Sequence, residues 1–97
     1  MKTPITNRYA VVIAWSDGLP ARTGNRSFSS DGRTLRSYSL PIATRTESGT
    51  RVVADYTSGG GHYYSQTTSS HVGIAKSCAD EIMHPEVFRA TFPAETI

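Results

Sequence analysis

Ser37-Tyr38-Ser39-Leu40-Pro41-Ile42-Ala43 is the stretch on which the reading of this chain turns. From Thr34 to Ala43, Arg36, Tyr38, Leu40 and Ile42 fall on one face of an extended chain, and Leu35, Ser37, Ser39, Pro41 and Ala43 on the other. That is the period of a strand. Pro41 has no N–H to give to a ladder, so it belongs at a sheet edge, at a bulge or beyond the paired region. Glu47-Ser48-Gly49 makes a turn, and Thr50 to Tyr56 forms a second strand with Val52, Ala54 and Tyr56 on one side. A hairpin of Thr34 to Ala43 with Thr50 to Tyr56 is therefore expected. Further on, Tyr63-Tyr64-Ser65-Gln66-Thr67-Thr68-Ser69-Ser70-His71 is a hydroxyl-dense run where a helix should begin. The two segments read together as one site or one junction.

Before the hairpin, Arg8-Tyr9-Ala10-Val11-Val12-Ile13-Ala14-Trp15 is a short, β-branched apolar run closed by Ser16-Asp17-Gly18, which reads as a central strand. Leu19 to Arg33 holds Pro20, Gly24, Asn25, several serines and Asp31-Gly32, and reads as a long exposed loop whose last residues form a tight turn. After the hairpin, Gly59-Gly60-Gly61 is a flexible connection with no following lysine to make it a phosphate loop, and Tyr63-Tyr64 begins a short further strand. Val72, Ala75, Ala79 and Ile82, widened by Cys78 and Met83, recur at helical spacing, with the N-cap drawn from Thr67 to Ser70 and Pro85 as the stop. Glu86-Val87-Phe88 forms one more helical turn ahead of a tail from Thr91 to Ile97. The expected fold is one α+β domain over residues 1–97: a small antiparallel sheet of three or four strands packed against one C-terminal helix.

The 97 residues are 37% hydrophobic and 19% charged, enough to fold around a thin core that self-association could supplement. Cys78 is the only cysteine, which rules out an internal disulfide and fits a reducing compartment. No stretch has the roughly 20 apolar residues of a membrane span, and no signal-peptide core follows Lys2, so a soluble cytoplasmic protein is expected. The net charge of +2 is unevenly divided. Residues up to Arg51 carry about +5 and the remainder about −3.

The words Ser37-Tyr38-Ser39-x-Pro41-Ile42-Ala43 and Tyr64-Ser65-x-Thr67-Thr68-Ser69-x-His71, separated by a hairpin, resemble a family of small uncharacterised proteins of bacteriophages and archaeal viruses. The resemblance spans about the middle half of the chain. It implies an accessory viral protein acting in a host cytoplasm, and it carries no catalytic residue across.

Site chemistry is weighed residue by residue. Ser65, the threonines and His71 lack the elbow or triad pattern of an activated nucleophile, so no catalytic residue is assigned. His62, His71, Cys78 and His84 are not spaced like zinc ligands, and neither a metal nor a cofactor is expected. The first candidate is a partner surface of Arg22, Arg26, Arg33, Arg36 and Tyr38, with Tyr38 and Tyr56 projecting from the hairpin. Its partner is expected to be a host protein, with nucleic acid as the alternative, although +2 is small for a dedicated DNA binder. The rival is an anionic small-ligand or nucleotide-sequestering site of Ser65, Thr67, Thr68 and His71 at the helix start.

Overall fold

Residues 3–57 and 65–92 are described by a computed structural model. Turn residues at regular intervals fold the chain into a meander. β1 (Pro20–Arg22), β2 (Phe28–Asp31), β3 (Thr34–Ser37), β4 (Leu40–Arg45) and β5 (Arg51–Ala54) pair in that order, each antiparallel to the last. β6 (Glu81–Met83) then adds beside β5 in parallel, reached through α2 (Gln66–Lys76). Helix α1 (Arg8–Ser16) precedes the sheet and α3 (Pro85–Thr91) follows it. The fold is α+β as expected, but the described residues form a six-stranded mixed sheet and three helices in place of a small antiparallel sheet and one terminal helix.

The run from Arg8 is a helix, not a central strand. Asn7 caps it, its Oδ1 accepting from the Ala10 amide at 2.9 Å. Val11, Val12 and Trp15 are buried while Tyr9 and Ile13 are exposed, the i, i+1, i+4 stripe of a helix. This one-sided burial against the sheet and α2 outweighs the strand preference of the β-branched residues. Trp15 fixes the packing by donating from Nε1 to the Arg33 carbonyl at 2.9 Å.

The segment read as a loop, Leu19 to Arg33, supplies β1 and β2. Its polar residues build the turn between them: Asn25 Oδ1 accepts from the Ser27 amide at 3.1 Å and hydroxyl at 2.8 Å. The expected tight turn at Asp31-Gly32 is present. Asp31 Oδ1 accepts from the Arg33 and Thr34 amides at 2.9 and 2.8 Å. Gly32 has a φ of +97°, and a Cβ there would meet the Gly18 carbonyl oxygen at 2.8 Å, so no larger residue fits.

Thr34 to Ala43 is not one strand but a tight hairpin that reverses at Tyr38-Ser39, pairing Ser37 with Leu40. The expected Glu47-Ser48-Gly49 turn joins β4 to β5. Pro41 lies opposite Arg36, where the β3–β4 register shifts by one residue, which is the bulge position its missing N–H requires. Ile42 to Thr44 and Val52 to Ala54 are buried without a break, so β4 and β5 are covered on both faces. Tyr56, expected to project outward, is 2% exposed. Its hydroxyl accepts from Arg89 at 3.4 Å.

Helix α2 ends at Lys76, well before Pro85. Asp80 draws the chain to the sheet instead: its amide donates to the Arg51 carbonyl at 2.8 Å, and its carboxylate accepts from the Arg51 amide and guanidinium at 2.9 to 3.1 Å. Ala79, Ile82 and Met83 therefore leave the helical stripe, and Cys78 packs on the core from the turn after the helix. Pro85 opens α3 at its first turn, behind the His84 cap. The anticipated strand at Tyr63-Tyr64 and the Gly59-Gly60-Gly61 connection lie outside the described residues. No helix among the described residues is long and apolar enough to cross a membrane.

If α1 is held by its cap as well as its packing, Asn7→Ala lowers stability by about 1 kcal/mol in urea denaturation. A strand at this position would leave the midpoint unchanged.

Candidate functional site

The two sequence words meet inside the molecule. Register pairs Ala21, Ser30, Leu35, Ala43 and Val53 across the sheet, and strand alternation adds Phe28 and Ser37 to the same face. Helix α2 packs there. Ser37 Oγ lies 2.8 Å from His71 Nδ1 and 3.0 Å from Thr68 Oγ1. The His71 ring stacks on Phe28 with parallel planes and centroids 4.1 Å apart. Ser37 and Thr68 are fully buried and His71 is 4% exposed.

The three groups form one chain that two proton arrangements satisfy: Thr68 O–H donating to Ser37 and Ser37 O–H to His71 Nδ1, or Nδ1–H donating to Ser37 and Ser37 O–H to Thr68. A serine bonded to a histidine has the contact of an activated hydroxyl. Ser37 is nevertheless enclosed on every side, and what the arrangement does is tie β3 to α2.

The helix-start residues take separate roles. Ser65, not Thr67, Thr68 or Ser69, is the N-cap, accepting from the Thr68 amide at 3.1 Å. Thr68 and His71 face the sheet, and Thr67 is exposed. Ser65, Thr68 and His71 thus use their polar atoms within the fold. His84 Nδ1 accepts from the Glu86 amide at 3.2 Å. No cluster of three or more potential ligands is present among the described residues, and His62 lies outside them.

The candidate partner residues divide between the two ends of the sheet. Arg22, Ser29 and Arg36 are register partners, forming one row across β1, β2 and β3 on the face opposite His71. Arg26 lies in the β1–β2 turn and Tyr38 in the β3–β4 turn, which are neighbours: the Tyr38 amide donates to the Ser27 carbonyl at 2.8 Å. Both are exposed, Tyr38 by 57%. Both also have positive φ, 61° and 56°, and they are the only non-glycine residues to do so among those described. Arg33 stands apart at the other end, lining a hollow with Arg45, Thr46 and Glu47.

A concavity of about 680 Å³ is lined by Thr3, Ile5, Arg22, Arg26 and Ser29. Sequence reading missed Ser29, which it placed in an irregular loop, and Thr3 and Ile5, whose segment meets β1 through a bridge between Ile5 and Arg22 that no local pattern announces. Arg36, in the same row, pairs with Asp31 at 3.1 Å. Three comparisons, with protein-family models, curated proteins and solved structures, match nothing to this chain.

Burial, followed by the nearby positive charge of Arg8, pushes the His71 pKa below its ordinary 6.5. The unfolded chain binds the proton more readily, so this contribution to stability is present above pH 6.5 and is lost as the pH falls through the folded pKa. Asp31, Asp55 and Asp80 act at lower pH. Burial opposes ionisation of Asp31 and Asp55 but hydrogen bonds outweigh it, Arg51 holds Asp80, and all three lie below 3.8. Thermal melts from about pH 7.5 down to about pH 4.5 are expected to show a falling midpoint in the wild type and a flatter profile in His71→Phe. Parallel profiles would contradict the buried neutral imidazole.

Proposed function

We propose that the protein is a non-catalytic binding module that engages a macromolecule through the sheet end displaying Arg26 and Tyr38, with the Arg22–Ser29–Arg36 row beside it. The observation that carries this reading is the backbone conformation of those two exposed residues. A two-residue hairpin turn with positive φ at its first position normally takes glycine, and a bulky residue there costs of the order of 1–2 kcal/mol. Strain of this kind concentrates at functional sites. Here it displays an aromatic ring and a guanidinium on adjacent turns. The wider proposal, a viral accessory protein modulating a host macromolecule in the host cytoplasm, rests on the sequence resemblance. Binding of a small anion at the helix start finds less support, because Ser65, Thr68 and His71 are bonded internally.

Replacing the strained residues by glycine separates binding from folding. In Tyr38→Gly and Arg26→Gly, relief of the positive φ offsets the greater freedom of the unfolded chain, so stability stays level or rises by up to about 1 kcal/mol. Both variants are expected to lose capture of partners from host lysate, and wild-type capture is expected to weaken with added salt. Full capture by the double variant would overturn the proposed surface.

A further inference from the structure

We infer that the concavity between β1, the β1–β2 turn and the segment Thr3 to Thr6 receives a nucleotide phosphate, with Tyr38 as the stacking platform for a base. This rests on the surface proposed above and gives its partner a chemistry. The lining joins two guanidiniums, Arg22 and Arg26, to the hydroxyl residues Ser29 and Thr3 and the apolar Ile5, with no acidic residue among the described residues that form it. Arg22 NH1 donates to the Thr23 and Gly24 carbonyls at 3.2 and 3.4 Å, which holds the side chain over its own turn. The other donors of its guanidinium, and all of those on the Arg26 guanidinium, make no hydrogen bond among the described residues. Two neighbouring cations with spare donors and no facing carboxylate favour an anion with several acceptor oxygens, and phosphate fits that description.

Tyr38 adds what a bare phosphate site would not need. It follows Ser37, which pairs with Phe28, so it lies one strand and about two residues from Ser29, roughly 8 Å by strand spacing and rise. An exposed ring beside a basic groove is the combination by which proteins hold single-stranded nucleic acid without reading its sequence. An acidic protein segment would use the arginines but has no comparable need for the ring.

The test measures fluorescence anisotropy of a labelled oligothymidine, with the mononucleotide as competitor and a duplex of equal length for comparison. Oligothymidine is expected to bind better than duplex, with an affinity that falls with salt at a logarithmic slope near −1.4, about 0.7 for each of the two arginine–phosphate contacts. Arg26→Ala is expected to make that slope shallower by about 0.7, whereas Tyr38→Ala weakens binding about tenfold or more and leaves the slope unchanged. Competition by the mononucleotide at similar concentration assigns the site to a free nucleotide, and its failure to compete assigns it to the strand. If oligothymidine and mononucleotide both fail to bind while Arg26 and Tyr38 variants still lose lysate capture, the nucleotide inference falls and the surface stands. Binding that is indifferent to both substitutions also overturns the inference. Loss of neither capture nor nucleotide binding in the variants removes the surface itself.

Discussion

Everything in this fold leans on one enclosed hydroxyl. Ser37 sits between Thr68 and His71, and through it the last residue of β3 is bonded to two successive turns of α2. A buried polar group left without partners costs about 1–3 kcal/mol, so each of the three side chains depends on the other two being in place. The link also sets register. Sliding β3 by one residue would turn Ser37 to the far face and leave Thr68 and His71 unpartnered against Phe28. It further pins the residue before the β3–β4 turn, and so the base from which Tyr38 is displayed.

The second constraint is the way the chain leaves α2. A parallel strand at the sheet edge needs a crossover, and the Asp80 contacts with Arg51 end the helix where that crossover must close. With β6 in place, β5 becomes an interior strand, and α2 and α3 both pack against it. At the other edge the backbone of Arg22 is covered by Pro4 and Thr6, with bonds of 2.9 and 2.8 Å. Folding and display thus occupy different faces: Phe28 and Ser37 point to the helices, and Arg22, Ser29 and Arg36 point away.

What could be read in the sequence was local. Asp31-Gly32 and Glu47-Ser48-Gly49 announced their turns, Pro41 announced an edge, a bulge or the end of pairing and lies at a bulge, and of the segments Ser37 to Ala43 and Tyr63 to His71, read together as one site or one junction, Ser37 meets Thr68 and His71. What could not be read was decided by tertiary contacts. Arg8 to Trp15 has strand-like composition and is helical because of where its apolar stripe docks. Val72 to Met83 keeps helical spacing past the true end because Ile82 and Met83 belong to a strand whose partner is far away in sequence. The turn at Tyr38-Ser39 hid best. Turns of that shape are recognised by glycine or asparagine, and here a tyrosine takes the position. The candidate partner residues were legible as arginines and a tyrosine, but their division between the two ends of the sheet required the register.

The most direct measurement of the central claim is a double-mutant cycle on Ser37→Ala and His71→Phe, followed by chemical denaturation. Phenylalanine keeps the stack on Phe28 while removing Nδ1, and alanine removes the hydroxyl, so the pair isolates the bond. The expected result is a coupling of about 1 kcal/mol or more, with the double variant less destabilised than the sum of the singles, because neither partner is then left unsatisfied. Additivity to within about 0.3–0.5 kcal/mol would contradict it and would mean that β3 and α2 are held together by apolar packing alone.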